Sequence, residues 1–439
     1  MTHKRRADGV AHNGSRRCVR DALLSLLVVL VGVVVGLFAL LAAATATAAP
    51  TLFLLAGLAA CGATTVLGLL IVTRGVTADR RRRRRRVVAV SALVVVGVVV
   101  VSALRPLDDP RALPAPVAGQ RFWDLPTGSR IAYVRLIARG HARATPVIFL
   151  HGGPGVPDMR GDARYFGQLT RDGFDVYVYD EVGSGRSSRL ADPRGYTLAR
   201  DVADLAAIRR QIGAQRVILI GHSYGGELAA AYLATHGQHV ARVVLSSPGD
   251  LSPAARGASL NGRLTAAQQL HLYATVLQPR ALLAYALLQV NPRAAHAFGG
   301  DEEMDARFDV IYNLTRPALH CRGAPSGPAL YGLGFYANQY PQSAGDPPHA
   351  DYWPALATQR APALIIKGSC DYLSWSSAMD YLRTLPHARL VYLRGAGHNA
   401  YQDKPRPYLA AVRAFLTGHP LPEPPYTNSQ PPRDYEGPR

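Results

Sequence analysis

The chain has 439 residues, 48% of them hydrophobic, which excludes a disordered or collagen-like chain and leaves room for two or three domains. Its formal net charge is +19, from 49 Lys+Arg against 30 Asp+Glu. Of these, 14 basic and 3 acidic side chains fall in residues 1–104, among hydrophobic runs, so most of the excess reads as membrane topology and argues against a nucleic-acid partner.

Residues 22–73 hold no charged side chain, and Pro50 interrupts them. A span needs about 20 apolar residues, so this run predicts two transmembrane helices, residues 22–44 and 51–73. A third run, residues 87–104, is mostly Val, Leu and Ala and meets the minimum length. Lys4, Arg5, Arg6, Arg16, Arg17 and Arg20 precede the first span, and Arg74 with the arginines at 80–86 separates the second from the third. Basic loops stay cytoplasmic, which predicts a cytoplasmic N-terminus and an extracytoplasmic position for everything after Leu104. As a solvated loop beside anionic headgroups, the arginine run would lie on the same side. Ala44-Thr45-Ala46 and Ala46-Thr47-Ala48 have the form of a signal-peptide cleavage site, but the apolar stretch before them is too long for one, so an uncleaved helix is expected.

Residues 105–116 contain four prolines and read as an extended tether. Residues 419–439 hold seven prolines and few aliphatic side chains, so a disordered tail is expected. Between them, residues 117–418 alternate short apolar runs with helical patterns. An antiparallel hairpin is predicted around Thr127-Gly128. Buried strands are predicted at 147–150, 176–179, 217–220, 243–245, 364–366 and 390–393, with helices at 198–212, 224–236 and 405–416. This rhythm implies an α/β fold, a mostly parallel central sheet with helices on both faces. Residues 251–356 break it and are expected to be an inserted helical cap.

Gly221-His222-Ser223-Tyr224-Gly225-Gly226 lies between a predicted strand and a predicted helix, the context of a nucleophile elbow. The tight turn lifts the Ser223 hydroxyl clear at the positive end of the following helix. His151-Gly152-Gly153-Pro154-Gly155 follows an earlier strand, and its glycines suit an oxyanion loop. The expected donors are the N–H groups of Gly153 and Tyr224, with Gly152 as substitute. His151 is expected to brace the loop, because the order Ser…Asp…His places the base last. Asp371 and His398 follow the later strands in that order, so Ser223, Asp371 and His398 form the predicted catalytic triad.

These motifs resemble the α/β-hydrolase superfamily, and His-Gly-Gly-Pro-Gly with the later Asp180-Glu181-Val182-Gly183-Ser184-Gly185-Arg186-Ser187 resembles its proline iminopeptidase branch. The resemblance covers about 300 residues and implies an α/β-hydrolase fold with an acyl-enzyme on Ser223. Glu181-Val182 departs from the Gln- or Arg-Arg pair usual in that branch, as do the three membrane spans. Iminopeptidase-like enzymes generally bind the substrate ammonium with cap carboxylates, and Glu302 and Glu303 are the expected binding pair here. An acidic start to a helix is their alternative role, as it is for Glu227.

Cys321 and Cys370 are the cysteines expected outside the membrane, where a disulfide is permitted, though buried free thiols are the favoured reading. No Cys-x-x-Cys pair occurs, and the triad needs neither metal nor organic cofactor. The leading expectation is a membrane-anchored serine hydrolase acting on peptides or small amides. An esterase or lipase working on small or membrane-derived esters is the rival, and a non-catalytic binding protein of the same fold is the third reading.

Overall fold

The computed structural model describes residues 2–74, 76–107, 113–249, 260–343 and 352–438. Long apolar runs, preceded by basic residues in α1 and α3, wind into three long helices, α1 (Thr2–Ala46), α2 (Pro50–Val72) and α3 (Ala78–Leu104). Leu23–Ala46, Pro50–Val72 and the whole of α3 are each long and apolar enough to cross a membrane. Residues 80–86, expected in a connecting loop, form the first turns of α3 instead. Arginine is a good helix former, and its long side chain carries the charge away from the axis. Glycines let α1 and α2 approach closely: a Cβ on Gly36 would stand 2.8 Å from Cys61 Cβ and from the Gly57 carbonyl oxygen.

The chain divides into two units, Met1–Leu107 with Leu277–Gly300, and Asp108–Val276 with Asp301–Arg439. The first therefore takes a hairpin, α8 (Pro279–Val290) and α9 (Pro292–Phe298), out of the segment expected to be cap. The reason is compositional. Apart from Arg280 and Gln289, α8 is apolar all round, and besides α9 it packs against α1 and α3.

The second unit opens with β1 (Arg121–Asp124) and β2 (Arg130–Leu136), paired antiparallel. Their turn contains Gly128 at φ +84°, a left-handed position that favours glycine. The remaining strands are β3 (Val147–Leu150), β4 (Val176–Tyr179), β5 (Val217–His222), β6 (Val240–Ser246), β7 (Ala363–Gly368) and β8 (Ala388–Leu393). The sheet order is β1-β2-β4-β3-β5-β6-β7-β8, with β2 antiparallel to β4 and β3 to β8 all parallel. Strands β3, β4, β5 and β7 are buried throughout, which explains their near-continuous aliphatic sequences. Around the sheet pack α4 (Met159–Phe166), α5 (Leu198–Ile212), α6 (Tyr224–His236), α13 (Trp375–Thr384), α14 (Ala400–Asp403) and α15 (Pro405–Thr417). The cap portion of this unit comprises α7 (Ala266–Val276), α10 (Asp301–Thr315) and α11 (Phe335–Ser343), and α12 (Trp353–Ala357) leads back to β7. Residues 108–112 of the expected tether and 250–259 and 344–351 of the expected cap lie outside the described residues.

The proline-rich end does not behave as a disordered tail. Tyr426 N–H donates to Leu390 O at 2.7 Å, and Glu436 N–H to Ser369 O at 2.8 Å. The Tyr426 and Tyr435 rings meet Trp375 edge-on, with centroids 5.5 and 5.2 Å away. Two aromatic anchors bury as much surface as several aliphatic side chains, and prolines reduce the entropy lost on docking.

Candidate active site

Parallel strands feeding helices leave a crevice at their carboxyl ends, and the chemistry-bearing residues lie there. Ser223 joins β5 to α6 at φ 55°, one of two non-glycine residues with positive φ among the described residues. Such a conformation costs about 1–3 kcal/mol and persists only where the surroundings enforce it. Here Ser223 N–H donates to Ser246 O at 2.9 Å, and its carbonyl accepts from Gly226 N–H at 2.9 Å. Glycine is obligatory on both flanks: a Cβ on Gly221 would lie 2.1 Å from Gly225 O, and one on Gly225 2.2 Å from Leu150 O. Tyr224 is the first residue of α6, so its N–H has no acceptor within the helix.

The glycine loop after β3 runs alongside Ser223, since a Cβ on Gly152 would stand 3.1 Å from Ser223 Cβ. Gly152 and Gly153 both line the cavity that holds Ser223. Buried His151 braces the loop. Its Nδ1–H donates to Gly152 O at 2.8 Å, and its Nε2 accepts from Glu181 N–H at 3.0 Å. Burial pushes its pKa down to about 4, so the ring is neutral at pH 7. Glu181, where the sequence departs from the iminopeptidase branch, accepts from Gly155 N–H at 3.2 Å. Burial, then the charge of Asp201, raises its pKa well above the ordinary range. The buried Glu181 side chain thus holds the glycine loop through Gly155 N–H.

Asp371 follows β7 and His398 follows β8. His398 Nδ1–H donates to Asp371 Oδ1 at 2.8 Å, and both residues are buried. The second carboxylate oxygen faces Lys367, whose Nζ is 2.9 Å from Oδ2. Lys367 is fully buried and also donates to Leu373 O and Ser377 Oγ, at 3.1 and 3.2 Å. Burial pushes the Asp371 carboxyl up, but the Lys367 ammonium and then His398 outweigh it and hold the pKa below the usual carboxylate range. Lys367 escaped the sequence reading because a lysine at the end of a strand ordinarily signals exposure. His222, expected to be a packing or surface residue, lines the cavity, and its Nε2–H donates to Asn399 Oδ1 at 3.0 Å. Burial, then the neighbouring His398, lowers its pKa to about 3 and keeps it neutral.

A disulfide joins Cys321 to Cys370, in place of the expected free thiols. His398 N–H donates to Leu319 O at 2.7 Å, so the segment around residue 320 is tied to both the His398 loop and the Asp371 loop. The cysteines are 49 residues apart, and cross-linking a loop of that size stabilises by about 4 kcal/mol on the chain-entropy account. Cys321→Ser with Cys370→Ser, or reduction of the wild type, should lower the melting temperature by several degrees and depress turnover. Unchanged melting in reductant would show that the bridge constrains nothing.

The cavity at Ser223 has a volume of about 230 Å³. Phe308, Ile311, Tyr312, Leu319 and Leu330 give it an apolar wall on the cap side. Its polar side carries Asp158, Asp162 and Arg316. Glu302 and Glu303 do not line it. Glu302 is exposed, and Glu303 pairs with Arg307 one turn on, at 2.8 Å. The helical period turns Met304, Asp305 and Phe308 inward and leaves the two glutamates on the other face. Of the two aspartates that line the cavity, Asp162 is buried and Asp158 is partly exposed. Burial raises the Asp158 pKa, while the Gly161 N–H and the Arg316 charge oppose the rise.

Residues 145–405 match the family model described as the alpha/beta hydrolase fold. The chain is 30% identical over 294 residues to a proline iminopeptidase of Levilactobacillus brevis, covering 65% of this chain and 93% of the relative. It is 25% identical to that of Lactiplantibacillus plantarum over 67% of this chain and the whole of the relative. Among solved structures, the proline iminopeptidase of Mycobacterium smegmatis matches 68% of this chain and 98% of its own, at 22% identity and a TM-score of 0.46. With the glycine loop, the strand–serine–helix turn and the later Asp–His pair in one parallel sheet, the chain belongs to the α/β-hydrolase family.

Proposed function

We propose that the protein is a membrane-anchored serine hydrolase of the proline iminopeptidase type, cleaving peptides or small amides through an acyl-enzyme on Ser223. The observation that carries this reading is the buried Asp371–His398 hydrogen bond opening onto the cavity that contains Ser223. His398 Nε2 takes the Ser223 proton as Oγ adds to the substrate carbonyl. The N–H groups of Gly153 and Tyr224 receive the oxyanion, and His398 returns the proton to the leaving amine. Water then attacks the ester by the same relay in reverse, releasing the acid and freeing Ser223. Asp371 stays ionised throughout and orients the imidazole.

The apolar cap wall favours a second reading, hydrolysis of esters with a greasy acyl group. Aminoacyl-arylamides and acyl esters of graded length separate the two. Where an ammonium binds, Asp158 is its proposed partner, because it lines the cavity and the acids at 302–303 do not. Asp158→Asn should lower kcat/KM for free-amine substrates about tenfold or more relative to neutral acetate esters, the scale of one hydrogen bond to a charged group. Glu302→Gln and Glu303→Gln should leave that ratio unchanged. Equal losses on both substrate types in Asp158→Asn would favour the esterase.

The arginines at 80–86 and the basic N-terminal segment support a cytoplasmic N-terminus and an extracytoplasmic catalytic unit. The Cys321–Cys370 disulfide supports the same sidedness, since cytosolic thiols stay reduced. Protease added to intact cells should cut the tether at 105–116. Cleavage only after lysis would reverse the topology.

A further inference from the structure

The α8–α9 hairpin interrupts the soluble fold yet groups with the apolar N-terminal helices. Two side chains clamp it to helix ends. Asn291 Nδ2 donates to Ala44 O at 2.7 Å, near the last turn of α1. Arg280 Nη1 reaches Ala103 O and Leu104 O, at 3.3 and 3.4 Å, at the end of α3. The last four carbonyls of a helix have no partner within it, and in lipid an unsatisfied one is costly. The hairpin thus supplies hydrogen bonds to the ends of two helices that finish on the same side. Arg280 is itself buried; its Nη2 donates to Phe298 O at 2.9 Å, and its guanidinium lies over the Phe298 ring, 4.5 Å from the centroid. Its charge is directed to carbonyls of α3 and of the hairpin, away from the outer face.

That outer face is mostly apolar, with Gln289 the exposed polar side chain of α8 on it. Leu282 and Tyr285, one turn apart, are 41% and 43% exposed, and Val290 and Leu277 are 39% and 60% exposed. They continue the belt of exposed apolar side chains on α1–α3, such as Leu37, Val66 and Val101. A tyrosine at the end of spanning helices is a usual mark of the headgroup level. Isolated apolar residues on a soluble surface need no explanation, but a row attached to the ends of spans does.

We propose that the α8–α9 hairpin is a membrane-interface element, lying in the plane of the bilayer with Leu282, Tyr285 and Val290 in the headgroup–acyl boundary of the leaflet where α1 and α3 end. The proposal rests on α1–α3 spanning the bilayer. Its partner is the lipid surface itself, because the face is continuous with that of the spans and α8 has the all-round apolar composition of a segment that meets protein on one side and lipid on the other. The soluble unit of the enzyme is then joined to the membrane at residues 277 and 300 as well as through the tether.

The test uses the full chain with Cys18→Ser and Cys61→Ala, the Cys321–Cys370 disulfide intact, in phosphatidylcholine–phosphatidylglycerol vesicles. Nitroxide labels are placed singly by Leu282→Cys, Tyr285→Cys, Val66→Cys as the span control and Glu423→Cys as the water control. Collision rates with oxygen, which partitions into lipid, are compared with those of a water-soluble nickel chelate. Labels at 282 and 285 should collide several-fold more often with oxygen than with the chelate, as at 66, while 423 shows the reverse. A water-like pattern at 282 and 285 with a lipid-like pattern at 66 overturns the proposal and spares the spans. Exclusion of both reagents also overturns it, because a second copy of the chain would then cover the face. A water-like pattern at 66 removes the spanning reading and the proposal with it.

Discussion

Ser223→Ala is expected to reduce kcat/KM by about ten-thousand- to million-fold, the loss that follows removal of a nucleophile whose partners act as a unit. The fold should persist. Alanine keeps the Cβ that Ser223 already places in the elbow, and the backbone hydrogen bonds to Ser246 O and from Gly226 N–H do not involve the hydroxyl. Stability should stay within about 0.5 kcal/mol of wild type, as for substitutions that create no cavity and strand no buried group. Ser223→Gly should go further and raise the melting temperature, because glycine adopts φ 55° without the penalty serine bears. Activity of Ser223→Ala within tenfold of wild type, or a melting temperature unmoved in Ser223→Gly, would contradict the elbow as a strained nucleophile site.

Lys367→Met should be costly for a different reason. Its ammonium sits 2.9 Å from Asp371 Oδ2, and both side chains are fully buried. Removing one partner of a buried pair leaves the other uncompensated, at about 3–5 kcal/mol. The sign of the pH dependence follows from Asp371. Its folded pKa is depressed, so the stability it contributes is present above its unfolded value of about 4 and is lost as pH falls below that. The difference in melting temperature between wild type and Lys367→Met should therefore be largest near neutrality and shrink below about pH 4. A difference that is constant with pH would mean that Lys367 acts by packing alone. Turnover should fall as well, since Asp371 orients His398 from 2.8 Å and a shift of about 1 Å in such a group can cost about a hundredfold. That outcome would make Lys367 a positioning residue, acting on His398 through Asp371.

How far these sites could be read in advance depended on whether their chemistry is local. The elbow was legible because strand, Gly-x-Ser-x-Gly and helix are contiguous, and the clash that demands each glycine comes mainly from backbone nearby in the fold. The eight-stranded sheet was likewise foreshadowed, because strands buried on both faces must be aliphatic throughout. The three apolar helices followed from length and hydropathy, which lipid reads without regard to tertiary context.

Other features depended on partners remote in sequence. Lys367 reads as a surface residue until the loop after β7 folds back to place Asp371 against it. Glu302 and Glu303 looked suited to bind an ammonium, but which side of α10 meets the cavity is set by how Met304 and Phe308 pack. The proline-rich end looked disordered by composition, but Trp375 and Tyr392, far earlier in the chain, give Tyr426 and Tyr435 a surface to dock on. The assignment of α8 and α9 was equally hidden. Their apolar sequence suits a cap as well as a partner for other apolar helices, and hydrogen bonds from Arg280 and Asn291 to the ends of α3 and α1 place them with those helices. Sequence alone determined what each segment could bury. The tertiary structure decided against which partner, because pairing energies depend on distances between groups that the chain keeps far apart until it folds.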